Sequence, residues 1–393
     1  MVYLDHATTS WPKAPGVADA IAHALTLPGS AHRGASAGAM GAQAIDERLR
    51  IALAGVVHAI DPRRMVLTSG ATEALNVAIL GVVRAAQASG AERPRIVTTQ
   101  VEHNAVRRPL LALAALGQID LEVIPASRDT ITSPLLLLAE AQASASRPPD
   151  LVAMTWASNV TGARQPVEEV AAGLRGTPTL LLVDASQTAG LIHPSHPLDH
   201  VGIDLLAFSG HKALAGPPGI GALYVGPRAH PLALAPVGAR LSPGAGAPRL
   251  APILLGGAGS DSASEDMPRT LPHRFEPGTA STPARAGLLA ALGHAHPAEH
   301  ALAHARQRAD LLRSMLGEVR GVHLLGPDTP GTGVVALSVE GFAPDEVAAI
   351  LDAEFGITVR AGLHCAPGAH EALGTLDAGC CVRISVGSTT TAD

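Results

Sequence analysis

The lysine that closes Phe208-Ser209-Gly210-His211-Lys212 is placed to do amine chemistry. The apolar run Asp204-Leu205-Leu206-Ala207 leads into it, and the glycine-rich Gly216-Pro217-Pro218-Gly219-Ile220-Gly221 follows. An amine held in a desolvated pocket loses part of its charge and becomes nucleophilic, the property that Schiff-base formation needs. Most lysines are solvated surface charges. The remaining segments must therefore supply what such an amine would bind.

Four other apolar runs also end in polar clusters. Met65-Val66-Leu67 leads into Thr68-Ser69-Gly70-Ala71-Thr72-Glu73, and Arg95–Thr99 into Gln100-Val101-Glu102-His103. Leu151–Met154 leads through Thr155-Trp156-Ala157 into Ser158-Asn159, and Leu180–Val183 into Asp184-Ala185-Ser186-Gln187. Continuous apolar runs of this length suit parallel strands covered on both faces. Ligands of open α/β sheets sit beyond the carboxyl ends of the strands. Five such ends predict one site assembled from separated segments.

Each cluster has a plain reading beside the chemical one. Gly70-Ala71-Thr72 at a helix start offers free amides to a phosphate, as helix amino termini do, although a ligand-free capping box fits the same letters. Ser209 and His211 would complete the phosphate cup. Asp184 at a strand end could pair with a protonated pyridine nitrogen and keep an electron sink charged, or simply cap a helix. Asn159 and Gln187 are amides suited to a phenolate oxygen. His103 could lie flat on a ring, whereas a lone loop histidine is more often structural.

The elements that must carry these residues are βα units running from about residue 17 to 225, with helices near 42–57 and 72–86. Between Gly226 and Glu276 periodicity is lost and Pro and Gly are dense, including Ser242-Pro243-Gly244-Ala245-Gly246; this reads as a long surface excursion. Helical patterns follow over 283–293 and 297–316. Strand-like runs at Val334–Val339 and Val382–Val386 then flank a helix over Pro344–Phe355. A large domain over 17–283 and a smaller α+β domain of 1–16 plus 284–393 are expected.

The chain of 393 residues is 47% apolar and 16% charged, a globular composition, with only 2% aromatics, so Ala, Leu, Val and Ile must build the core. A net charge of −6 without a basic block argues against nucleic acid or an anionic membrane as partner. No apolar run reaches a spanning length and no signal peptide is visible. Cys365, Cys380 and Cys381 make no disulfide framework, which favours a reducing cytoplasm. No metal site is expected.

Lys212 in Phe-Ser-Gly-His-Lys, Asp184 in Asp-Ala-Ser-Gln, Asn159 in Ser-Asn-Val-Thr-Gly and His103 in Glu-His-Asn resemble the class V aminotransferases, pyridoxal-phosphate enzymes of fold type I. Arg360-Ala361-Gly362-Leu363-His364-Cys365-Ala366 resembles the cysteine desulfurase and selenocysteine lyase branch, in its compact-loop, SufS-like group. Tyr3-Leu4-Asp5-His6-Ala7-Thr8-Thr9 and Arg274-Phe275-Glu276-Pro277-Gly278-Thr279 resemble it too, so the likeness runs from residue 3 to about 387. It implies a mostly parallel seven-stranded sheet and a homodimer. Lys212 would be the Schiff-base lysine, Asp184 would bind the pyridine nitrogen, and His103 would stack on the ring and assist catalysis. Asn159 and Gln187 would face the ring hydroxyl; Ala71, Thr72, Ser209 and His211 would hold the phosphate, with Thr279 from the neighbouring subunit. Arg383, Asn159 and His364 would bind the substrate, L-cysteine, and Cys365 would accept its sulfur, favoured as thiolate by His364 and Arg360. A protein acceptor and iron–sulfur cluster assembly would take the sulfur onward.

The likeness has gaps. His6 stands where Asn is usual, Ala280-Ser281 where Pro-Asn or a similar pair is common, and Leu363 where His or Tyr is often seen. After Arg383 the chain reads Ile-Ser-Val-Gly-Ser-Thr-Thr-Thr-Ala-Asp in place of an aromatic-Asn-Thr turn and a last helix. Rival readings are a selenocysteine lyase, and a class V transaminase or lyase in which Cys365 is a buried structural thiol. A non-catalytic dinucleotide module would need strand–GxGxxG–helix order, which Gly216–Gly221 lacks.

Overall fold

The computed structural model describes residues 1–142, 147–232, 248–261 and 263–391. Its large unit is built on a seven-stranded sheet. In chain order the strands and helices are β1 (Val2–Tyr3), α1 (Val17–Leu25), α2 (Ala37–Val57), β2 (Met65–Thr68), α3 (Ala71–Ala88), β3 (Arg95–Thr99), α4 (Asn104–Ala115), β4 (Asp120–Ile124), α5 (Pro134–Gln142), β5 (Leu151–Thr155), α6 (Val167–Gly173), β6 (Leu180–Asp184), α7 (Leu198–Val201), β7 (Leu205–Ser209) and β8 (Gly221–Val225). Then come α8 (Thr282–Leu292), α9 (Ala298–Gly317), β9 (Val322–Leu325), β10 (Val334–Val339), α10 (Pro344–Phe355), β11 (Ile357–Thr358), β12 (Arg360–Gly362), α11 (Pro367–Leu373) and β13 (Cys381–Ser385).

The large sheet has the order β2-β8-β7-β6-β5-β3-β4. All its pairs are parallel except those made by β8, which runs antiparallel to both β2 and β7. Successive side chains of a strand point to opposite faces. Accordingly Leu181 and Val183 enter one core, with Met154, Leu206 and Phe208, while Leu180 and Leu182 enter the other, with Ala153, Leu205 and Leu223. Two buried faces are why these strands read as unbroken apolar runs.

In the smaller unit β12, β13, β10 and β9 form an antiparallel sheet in that order. Leu4, Ala305, Ala309, Val335, Leu337, Val382 and Ile384 fill its core. The amino-terminal strand β1 pairs in parallel with β11, so the first residues lie with the carboxyl-terminal ones. Helix α8, placed by the sequence reading just past the domain boundary, instead packs on the large unit, where Leu288 joins the core of the sheet.

Segment 226–276 is not wholly a surface excursion. Leu250, Leu271 and Phe275 are buried in the core on one face of the large sheet. Isolated apolar anchors without a period carry no helix or strand signal, which hides such burial from a periodicity argument. Ser242–Gly246 lies outside the described residues.

Candidate active site

The five strand ends open on one cleft of about 330 Å³. Ser69, Gly70, Ala71 and Thr72 follow β2, and His103 follows β3. Thr155 and Asn159 close β5, Asp184 and Gln187 close β6, and Ser209, His211 and Lys212 close β7. The smaller unit adds Arg360, His364, Cys365 and Arg383. The convergence expected from the strand ends is present.

One end of the cleft is a set of unsatisfied groups. Helix α3 starts after Gly70 with no side chain capping it, and the first amides of any helix lack intrahelical acceptors. Buried Ser209 Oγ and His211 Nδ1 have no hydrogen-bond partner either. Buried polar groups are rarely left so, and this set matches the acceptor oxygens of a phosphate. Gly221 shapes the same corner. A Cβ there would lie 2.5 Å from Phe208 O and 2.7 Å from Gly70 Cα, so only glycine lets β8 pass behind the loop.

The other end is set by charge. Lys212 is half-buried, and its amine is lowered from 10.5 to about 8. Burial is the main cause; Asp184 pulls it back up, while Arg383 and Arg360 push it further down. Asp184 is buried, and its Oδ1 accepts from Ser186 N at 2.9 Å. His103 caps α4: its Nδ1 accepts from Ala105 N at 3.0 Å, which puts the proton of the neutral ring on Nε2. Burial holds His103 below its usual range, with Asp184 opposing and Lys212 and Arg360 assisting. His211 falls to about 4 through burial and the nearby Lys212 and Lys13. These features fit pyridoxal phosphate: a phosphate cradle, a carboxylate for a ring nitrogen, and an amine much more readily uncharged than an ordinary lysine.

A residue quoted only as part of a motif proves notable. Glu102 is fully buried below His103; its Oε1 accepts from Thr99 Oγ1 at 2.6 Å and from Thr155 N at 2.9 Å, while Oε2 has no partner. Burial raises its carboxyl to about 8, and Asp184 adds to the rise. It is a neutral acid at pH 7. Its one sequence signal was a carboxylate directly after the buried strand β3.

Cys365 is half-exposed at the cleft, on a loop in which both His364 (φ 48°) and Cys365 (φ 58°) are left-handed. Non-glycine residues adopt that backbone only when the surroundings enforce it. Here Asn159 Nδ2 donates to His364 O at 2.6 Å and Asn104 N donates to Cys365 O at 2.7 Å. Helix α11 is pressed close behind, where a Cβ on Gly368 would lie 2.0 Å from Gln100 O.

Two sequence expectations change in detail. The His364 ring is turned into the interior, 3.4 Å from Cys381 Sγ, and burial with Arg383 nearby pushes it down to about 2. It is neutral and adds no positive charge beside Cys365; the arginine cations of the cleft are Arg360 and Arg383. Arg383 is already engaged: Nη2 donates to Asp5 Oδ1 (2.6 Å) and Thr8 Oγ1 (2.7 Å), and Nη1 to Asn159 O (2.9 Å). Arg360 Nη1 donates to Thr8 Oγ1 at 2.8 Å, so Thr8 receives both arginines and Asp5 holds Arg383. Asp5 was quoted in its motif without a role.

Gln187 lines the cleft with its Nε2 donating to Ala7 O at 3.0 Å. Thr279 does not line it. It is exposed in an adjoining hollow with Ser69, Glu73 and Gly219. The turn before it is anchored by Glu276, which receives Arg50 through two 2.6 Å bonds and Leu67 N at 2.5 Å.

The comparisons agree with this geometry. The sequence profile of the aminotransferase class-V family matches residues 2–393. A probable cysteine desulfurase of Halalkalibacterium halodurans is 31% identical over 93% of this chain and 84% of its own length. One of Pseudomonas aeruginosa is 32% identical over 100% of this chain and 90% of that protein. The apo structure of a cysteine desulfurase from Thermococcus onnurineus superposes with a TM-score of 0.84 at 26% identity, covering 100% of this chain and 91% of that one. The S-sulfonic acid form of an Escherichia coli cysteine desulfurase gives 0.80 at 26% identity, covering 99% and 90%. The chain belongs to the class-V aminotransferase family.

Proposed function

We propose that this protein is a pyridoxal-phosphate-dependent cysteine desulfurase, converting L-cysteine to L-alanine and leaving a persulfide on Cys365. The observation that carries the reading is that the Cys365 thiol, on the smaller unit, opens onto the same cleft as Lys212, on the large one. The curated relatives named as probable cysteine desulfurases support it.

Ala71, Thr72, Ser209 and His211 would hold the phosphate, Asp184 the ring nitrogen, and Asn159 and Gln187 the ring hydroxyl, with His103 against the ring. When bound, pyridoxal phosphate supplies an electron sink for charge developing at the substrate Cα. Lys212 Nζ, which gives up its charge far more easily than a solvated lysine, takes the Cα proton and later returns one. Arg360 and Arg383 bind the substrate carboxylate, competing with Thr8 and Asp5 for the same donors. Cys365 Sγ attacks the substrate sulfur. The new S–S bond forms as the Cβ–S bond breaks, and Cβ gains a proton to become the alanine methyl. The products balance as alanine plus an enzyme persulfide, with no outside oxidant.

The finer placement also belongs to this proposal. The Arg360–Cys365 motif supports the compact-loop group. Exposed Thr279 on its braced turn supports a homodimer in which it reaches the partner's phosphate. A protein acceptor serving iron–sulfur assembly would then remove the sulfur. No helix among the described residues is long and apolar enough to cross a membrane, which is compatible with action in the cytoplasm.

The test is incubation of the purified enzyme with cysteine, with alanine assayed and Cys365 mapped by mass spectrometry. One alanine and one persulfide per site in the first turnover support the reading. Pyruvate and ammonia would instead identify an eliminating lyase. The Cys365→Ala variant should lose alanine formation from cysteine while still loading cofactor; a transaminase would keep its turnover.

A further inference from the structure

Behind the Cys365 loop, three side chains from three elements meet. His364 of the loop, His370 of α11 and Cys381, the first residue of β13, each bring one nitrogen or sulfur atom to within 4.8 Å of the others. All three are buried, at 3%, 0% and 0% exposure. His364 Nε2 lies 3.4 Å from Cys381 Sγ and 3.3 Å from Cys381 O. His370 Nδ1 is 2.8 Å from Thr375 Oγ1, and its Nε2 has no partner; neither has His364 Nδ1.

Two buried imidazoles with unpaired nitrogens, beside a buried thiol, are poorly explained as packing alone. A histidine steered at one ring nitrogen by a hydroxyl, with the other nitrogen bare, is arranged as metal-binding histidines usually are. Two nitrogens, one sulfur and no carboxylate select a borderline or soft ion over Mg²⁺ or Ca²⁺.

We propose that His364, His370 and Cys381 form a site for one transition-metal ion of the Zn²⁺ class, which ties the sulfur-acceptor loop to α11 and β13. On binding, the Cys381 S–H bond breaks, its proton leaves to solvent and a metal–thiolate bond forms, with no change of oxidation state. Burial pushes the Cys381 thiol up to about 12, with Arg383 opposing, so the metal itself must displace the proton; Arg383 and Arg360 oppose the added cation. Tetrahedral ligation at ordinary Zn–N and Zn–S lengths requires ligand separations of about 3.3–3.6 Å, which the His364–Cys381 pair already meets, so only the His370 separations would have to close. The ion would also secure the left-handed backbone of His364 and Cys365, and through β13 the position of Arg383.

The experiment is titration of the chelator-washed holoenzyme with Co²⁺, a spectroscopic stand-in for Zn²⁺. The expected result is one equivalent bound, with d–d bands in the visible and a thiolate-to-cobalt charge-transfer band, both displaced by Zn²⁺. Cys365→Ser should retain the charge-transfer band, Cys381→Ser should lose it, and His370→Ala should weaken binding at least tenfold. Retained cofactor absorbance and circular dichroism show that each variant has folded; His370→Gln replaces any that has not. Absence of bands in the folded wild-type enzyme overturns the proposal. So do bands that survive Cys381→Ser and vanish in Cys365→Ser, since the exposed thiol would then be the ligand. The readout is independent of desulfurase activity, so the two readings fail separately.

Discussion

The free amine of Lys212 is the most directly measurable consequence of the cleft. A fall from 10.5 to about 8 raises the uncharged fraction at pH 7 from roughly 3 in 10,000 to about one in eleven, a gain of about 300-fold. In enzyme stripped of cofactor, the rate at which Lys212 is acylated by a small anhydride, read by peptide mass spectrometry, should rise with pH and level off near 8. A surface lysine in the same digest should keep rising towards 10. Charge neighbours give the sign of two variants. Asp184→Asn removes the anion that holds the amine up, moving the midpoint lower; Arg383→Ala removes a cation that pushes it down, moving the midpoint higher. A Lys212 profile that tracks the surface lysine would refute the argument that burial frees the amine. Midpoints that move in the opposite directions would refute its charge assignment.

Glu102 keeps in the folded state a proton that an unfolded chain releases above its ordinary 4.5, so this group's contribution to stability falls as pH rises from about 4.5 to about 8, by as much as about 5 kcal/mol. Glu102→Gln should therefore gain in denaturant midpoint relative to wild type across that window; a difference that is flat with pH would show the acid to be ionised throughout. Glu276→Gln leaves Arg50 with a neutral partner in a buried setting, while Arg285 keeps Asp46, and should cost about 3–5 kcal/mol in urea unfolding, where a change below 1 would place the network in solvent. Gly221→Ala should weaken cofactor retention at least tenfold, because the atoms it meets are backbone that cannot move aside; unchanged retention on dialysis would mean that β8 does not brace the Gly70 turn.

The fold was legible where burial is symmetric. β3, β5, β6 and β7 lie within a residue or two of their apolar runs, because both faces of the sheet are covered. β4 left no such trace: it is an edge strand with exposed Glu122 and a half-buried Asp120 paired to Arg93 and Arg147, a common way of protecting an edge. β8 was hidden by the glycines before it, and the two-residue strands β1 and β11 are too short to show a period. The cleft residues were readable because each follows a strand end. Their hydrogen-bond partners were not: Asp5 meets Arg383 because the amino terminus folds in beside β13, and Asn159 meets the His364 carbonyl because the two units pack together. The cluster of His364, His370 and Cys381 lies within one short stretch of chain, but its spacing matches no metal motif, and only the turn of α11 and the return of β13 close it up.

The loop that bears Cys365 is stitched to the large unit by Asn104 and Asn159 and backed by the close approach of Gly368 to Gln100. Such fastening limits the reach of the thiol. A sulfur atom parked there has little freedom to swing outward on its own tether, so delivery falls to the recipient, whose own nucleophile must travel inward to the half-exposed sulfur. Recipients would then be sorted by whether a slender projecting segment can enter, with the choice of customer made by shape at the doorway.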